Sequence, residues 1–185
     1  MDTPVLLLVY NRPEKTKRVL ERLKELGVSR VYVSCDGSKN DKDLVFVNEV
    51  KSSIDGFESI ISARNFSNQH LGCKTGVLSG IDWFFNQVEE GIILEDDILP
   101  NEAFFNFCQK LLEGYRNDKA VNMISGNNPL GNWYSDPGYF FSRIGHVWGW
   151  ATWKNKWQVF DPELPEHDKF TTNKGYEKAF GPTLL

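Results

Sequence analysis

The sequence predicts an α/β fold, a mostly parallel sheet flanked by helices, and three observations carry that expectation. Short apolar runs of the kind buried on both faces of a parallel sheet recur through the first two thirds of the chain. Between them lie longer stretches with apolar residues at three- and four-residue spacing, the signature of a helix packed on one face. Strand and helix signals alternate at least four times, which is the pattern of helices crossing between parallel strands.

Val5 to Tyr10 is the first apolar run, ending at Asn11-Arg12-Pro13. Asn11 or Arg12 leads into a helix that has Pro13 near its first position and Glu14 in its first turn, where each is favourable. Val19, Leu20, Leu23 and Leu26 form its apolar face, and Gly27 stops it. Val31 to Cys35 is the second strand and ends in Asp36-Gly37. A second helix is expected on the later part of the polar segment from Lys39 to Ser53. Ser59 to Ser62 reads as a short third strand, followed by a polar loop from Asn65 to Gly72. From Lys74 to Val88, Val77, Leu78, Ile81, Phe84, Phe85 and Val88 keep one helical face. Gly91 to Leu94 is the fourth strand. Asn101 can then cap a helix that buries Phe104, Phe105, Phe107, Cys108, Leu111, Leu112 and Tyr115. Val121 to Ile124 is expected as a fifth strand, and beyond Asn127 the periodicity fades.

The length, 185 residues, suits a single domain over 1–185 with a core of its own. The formal net charge of −4 comes without a basic stripe, which argues against nucleic acid as a partner. Cys35, Cys73 and Cys108 are few, odd in number and widely spread, so they read as free thiols in a reducing compartment. The first apolar run is too short for a signal peptide or a transmembrane helix. A cytoplasmic location is therefore expected, with membrane association left open.

In open α/β sheets ligands bind beyond the carboxyl ends of the strands. The residues there are Asn11 and Arg12, Asp36 and Gly37, Asn65 with Asn68 and His70, Glu95-Asp96-Asp97, and Ser125-Gly126-Asn127. The acidic triplet is the sharpest of these. Three adjacent carboxylates between apolar segments repel one another and resist desolvation, and a hard divalent cation relieves both costs. Mg2+, Mn2+ or Ca2+ suits such oxygens better than softer metals do, and one or two carboxylates suffice where diphosphate oxygens and water complete the shell. The alternative is a solvated acidic loop that favours the next helix N-terminus. Lys74, at a helix start, could serve a phosphate or be a surface lysine. Asp36 could accept from a base or ribose, or simply form a turn. His70 and His146 read first as structural histidines, and their separation makes no metal motif. The aromatic stretch from Gly145 to Trp153, with Trp157, could stack on sugar rings or form a second small core.

In this order, Tyr10-Asn11-Arg12-Pro13, Asp36-Gly37, Lys74, Ile92-Ile93-Leu94-Glu95-Asp96-Asp97 and Gly149-Trp150 resemble GT-A glycosyltransferases. The likeness is to bacterial family-2-like sugar transferases and, more distantly, to the N-acetylglucosaminyltransferase I family, which carries a Glu-Asp-Asp form of the Asp-x-Asp motif. The resemblance implies a GT-A, Rossmann-like fold, a UDP-sugar donor, Mn2+ or Mg2+, and a glycan or lipid-linked acceptor. It makes Asp97 the metal ligand, with Asp96 near the ribose and Glu95 near the donor sugar. Asp36 would read the base, Asn11, Arg12 and Lys74 would lie by the nucleotide, and Gly149-Trp150 would border the acceptor. In the related enzymes a carboxylate deprotonates the acceptor hydroxyl and the anomeric centre inverts.

The tail departs from that pattern. It offers Asp161, Glu163, Glu166 and Asp168 but no Trp-Asp-like pairing, and the expectation is a truncated form of a longer enzyme whose base lies beyond Leu185. Asp161 and Asp168 are the candidates within the chain. A second reading follows: a non-catalytic nucleotide-sugar or glycan-binding domain lacking the base. A receiver-type signalling domain would put its acid pair after the first strand, where Asn11-Arg12 stands. A nucleotidyltransferase would want a glycine-rich loop at the same place, and none is present.

Overall fold

The structure, a computed structural model, describes residues 1–128, 131 and 138–180. Trp133, one of the aromatic cluster, and residues 181–185 lie outside them. The mixed α/β architecture is the expected one. Six strands form one sheet among the described residues: β1 (Val5–Val9), β2 (Val31–Cys35), β3 (Ile61–Phe66), β4 (Glu90–Glu95), β5 (Ile124–Ser125) and β6 (Trp150–Trp153). Their spatial order is β3-β2-β1-β4-β6-β5. The first four run parallel, with Val5 beside both Val31 and Ile92, while β6 runs antiparallel to β4 and to β5.

The apolar runs become strands because both faces are covered. Val5, Leu7 and Val9 point into a core shared with α1 (Pro13–Glu25), α2 (Asp41–Ile54) and α4 (Glu102–Tyr115). Leu6 and Leu8 point the other way, onto Ile81, Phe84 and Phe85 of α3 (Gly72–Phe85). Pro13 opens α1 at its first turn, and Gly27, at a φ of 68°, ends it with a bond from its N–H to the Lys24 carbonyl. Asn40 and Asn101 cap α2 and α4, each accepting from the N–H three residues on.

Three expectations need correction. The third strand spans 61–66, not 59–62. Lying at the sheet edge it carries Arg64 and Asn65, so no apolar run announces it. The fifth is confined to Ile124 and Ser125, later than expected. The aromatic stretch contains an unforeseen strand, β6, which inserts between β4 and β5. Its Trp153 is buried and donates its indole N–H to the Leu112 carbonyl, so this tryptophan belongs to the core.

The chain then turns back along α3. After α5 (Lys154–Trp157), Trp157 donates to Asp82 near the end of α3, and Glu163 accepts from Lys74 near its start. Short helices α6 (His167–Thr172) and α7 (Gly175–Phe180) follow. Among the described residues no helix is long and apolar enough to cross a membrane.

Helix α3 lies close to the sheet at Gly80, where an added Cβ would stand 2.7 Å from Leu8 Cδ2 and 2.9 Å from Ser34 Oγ. Gly80→Val should therefore destabilise the fold by about 1–3 kcal/mol, read as a lower urea midpoint with an unchanged slope. The thiols offer a second check. Burial pushes Cys35 and Cys108 up to about 12, whereas Cys73 is exposed. An aromatic disulfide reagent should titrate one thiol in the native protein and three in denaturant.

Candidate functional site

Parallel packing sends the ends of β1 to β4 to one edge of the sheet. Because β6 is antiparallel, its beginning reaches the same edge, with Trp150 paired to Ile93. The polar residues expected at the strand ends are thus brought to one edge, joined by residues 146–149.

The acidic turn follows β4. Asp96 is buried at 5% exposure, while Glu95 and Asp97 are exposed. Arg12, at the end of β1, reaches across to both aspartates with a single nitrogen. Its Nη1 lies 3.0 Å from Asp96 Oδ1 and 2.9 Å from Asp97 Oδ2. Lys15, in the first turn of α1, stands 4.0 Å from the same Asp97 oxygen. Asp96 raises the guanidinium's pKa most, followed by the Asp97 hydrogen bond. Burial lifts the Asp96 carboxyl above its ordinary range against the pull of Arg12. Burial also lifts Glu95, and the charges of Asp97 and Asp96 add to it.

Asp36, at the end of β2, has a different set of partners. Its Oδ1 accepts from the N–H groups of Gly37 and Leu71, both at 2.9 Å, and its Oδ2 from Gly72 at 3.0 Å. His70 Nδ1 lies 3.1 Å from Oδ2 and 3.0 Å from the Gly37 carbonyl. One carboxylate thus closes the loop from β2 and holds the start of α3. His70 is a satisfied structural histidine here, stacked obliquely near Tyr10. The approach is tight: a Cβ at Gly37 would stand 2.5 Å from the Gln69 backbone.

Asn11 Nδ2 and the Tyr10 hydroxyl both donate to Asp43, which fixes the start of α2. Lys74 is exposed and paired with Glu163 at 2.8 Å. On the other flank, Gly149 takes a φ of 78° and its carbonyl accepts from Gly126 N–H at 2.9 Å. A Cβ there would stand 3.5 Å from Ile98 Cγ2, one residue after Asp97. Trp150 is half-buried, against the α3-side core and Trp157. Its neighbour Trp148 is 70% exposed. Among the tail acids, the Asp168 side chain is fully exposed on α6, and Asp161 accepts from the N–H of Glu163. Neither is drawn to the acidic turn by these bonds.

Sequence reasoning missed Lys15 and Asp43, and it named Glu163 and Trp148 without foreseeing the pairing of the first with Lys74 or the exposure of the second. Lys15 was within reach, since it lies three residues after Arg12 on a helix that begins at Pro13. The pairings of Asp43 with Asn11 and of Glu163 with Lys74 span 32 and 89 residues and leave no local signal.

No protein-family model matches the chain, and no curated protein matches it in sequence. Solved structures do. The mannosyltransferase PcManGT from Pyrobaculum calidifontis, in complex with GDP-Man and Mn2+, superposes with a TM-score of 0.58 at 15% identity, over 97% of this chain and 53% of that one. The 4-diphosphocytidyl-2C-methyl-D-erythritol synthase from Anaerococcus prevotii aligns with a TM-score of 0.48 at 10% identity, over 93% of this chain and 84% of that one. The chain spans about half the length of the mannosyltransferase. The fold is accordingly GT-A-like and Rossmann-type.

The Asp36 network gives a test independent of any ligand. Asp36→Ala leaves the Leu71 and Gly72 N–H groups without their acceptor and should cost about 1–2 kcal/mol in a denaturant titration.

Proposed function

We propose that the chain is a metal-dependent glycosyltransferase domain, a single unit over 1–185, that takes a UDP-sugar as donor and a glycan or other hydroxyl acceptor, with inversion. The observation that carries this reading is the convergence of Asp96 Oδ1 and Asp97 Oδ2 on one cationic nitrogen at the carboxyl edge of the sheet. That nitrogen stands in for a cation, so the donor set fits a hard divalent ion. Among the described residues no three His, Cys, Asp or Glu side chains gather as a metal cage. A Mg2+ or Mn2+ held by Asp97 and completed by diphosphate oxygens does not require one. When bound, the ion would neutralise charge on the departing diphosphate.

The chain's own groups then divide the work. Asp97 holds the metal, and Asp96, buried and paired, faces the nucleotide with Glu95 beside the sugar. Arg12 supplies positive charge to the diphosphate, and Lys74 adds to it from the first turn of α3. Asn11 and Asp36 serve the donor end through the loops they hold, because their bonds tie α2 and α3 to the strand ends. Residues 149 and 150 border the acceptor side. The superposition on a structure that holds GDP-Man and Mn2+ supports a nucleotide-sugar site at this edge. It also makes GDP the natural competitor of UDP in any test.

A second reading, donor binding without transfer, is favoured by the tail. Asp168 is fully exposed, and Asp161 bonds within its own segment. In that case the base lies outside this chain.

Calorimetric titration with UDP and with GDP, in Mn2+ and then in EDTA, separates these. UDP should bind in Mn2+ and weaken at least about tenfold in EDTA, and Asp97→Ala should remove the metal dependence. If neither nucleotide binds and Mn2+ changes nothing, the acidic turn is a surface loop and the transferase reading fails.

A further inference from the structure

Arg12 and the metal compete for the same oxygen. A divalent ion needs a lone pair of Asp97 at about 2.0–2.2 Å, yet Oδ2 already accepts from Arg12 Nη1 at 2.9 Å, with Lys15 Nζ at 4.0 Å. Two positive charges thus stand where a dication would arrive, and like charges at such range repel by several times the thermal energy at the effective dielectric of a protein surface. The Arg12 side chain is 48% exposed, so it has room to leave.

We propose that Arg12 guards the acidic turn. It holds Asp97 closed to a free divalent cation, and it opens when a diphosphate draws the guanidinium onto its own oxygens. This rests on the donor-site reading above and adds an order to it: metal and diphosphate enter together, and the metal alone binds poorly. The exchange is balanced in charge. The diphosphate takes over the guanidinium, whose planar fork suits phosphate oxygens, and the dication takes over the carboxylates.

The test is Mn2+ binding to the nucleotide-free protein, followed by the loss of the free-ion signal in electron paramagnetic resonance. The wild type should bind weakly. Arg12→Gln should bind Mn2+ at least about tenfold more tightly, and Asp97→Asn in that background should abolish the gain. Lys15→Gln removes a nearby charge that does not bridge the aspartates, and it should tighten binding about threefold or less. Arg12→Lys keeps the charge and loses the fork, and should fall between wild type and Arg12→Gln. Thermal melts confirm that each variant is folded, and Arg12→Lys serves if Arg12→Gln is not. If Arg12→Gln binds Mn2+ no better than Lys15→Gln does, general charge explains the effect and the guard is overturned. Should UDP and GDP both fail to bind in Mn2+, the donor-site reading falls, while the comparison of the two cation-free variants still decides what Arg12 does.

Discussion

Strand β1 is buried on both faces, and this constraint organises the rest. Val5, Leu6 and Leu7 are fully inaccessible, and the neighbouring strands β2 and β4 leave no free edge beside them. No polar group can be accommodated along such a strand without a large desolvation cost. Polar chemistry is therefore pushed to the point where the chain leaves the sheet. Parallel register brings those points together, with Arg12 three residues beyond β1, Asp36 next after β2 and Asp96 next after β4. The site is a consequence of how the core is covered before it is a consequence of any individual acid.

At that edge the charges must satisfy one another. Asp96 sits one residue beyond β4 and is nearly as inaccessible as the strand itself. Left alone it would be driven toward its neutral form. Arg12 offsets part of that drive, yet burial still wins, and the carboxyl stays above its ordinary range. Asp97 gains less from the same guanidinium, because an exposed pair is screened by water. The two aspartates thus stand in different regimes: one requires a positive partner for the fold to tolerate it, and the other can exchange partners at small cost. One guanidinium nitrogen therefore meets a buried and an exposed carboxylate at once.

The central strands were legible because a strand covered on both faces must be largely apolar: β1 is apolar throughout, β2 carries a single serine, Ser34, and β4 is apolar from Ile92 to Leu94 between its terminal glutamates. The edge strand β3 has no such requirement, so Arg64 and Asn65 concealed it. Strand β6 is four residues long, begins beside a glycine and contains Thr152 among tryptophans, which gives neither alternation nor an apolar run. The acidic turn could be found from its flanks, but its partner could not: Arg12 and Asp97 are 85 residues apart. The same holds for Asp36, whose carboxylate reaches 35 and 36 residues forward to Leu71 and Gly72. Sequence reveals which side chains are at the edge, whereas the capping of α3 by Asp36 depends on how closely α3 approaches β2.

The unforeseen β6 also changes which aromatic residues are available to a ligand. Alternation along a strand sends neighbouring side chains to opposite faces. Trp153 goes into the α4-side core and Trp150 into the α3-side core, where Trp157 meets it. Neither indole is free to form a broad exposed platform. Trp148 precedes the strand, separated from it by Gly149, whose positive φ turns the chain at that point. It therefore escapes both cores and remains exposed, with Val147 and Leu99 also uncovered. A glycine that an L-residue could replace only with strain is what divides Trp150 and Trp153, which pack in the two cores, from the exposed Trp148.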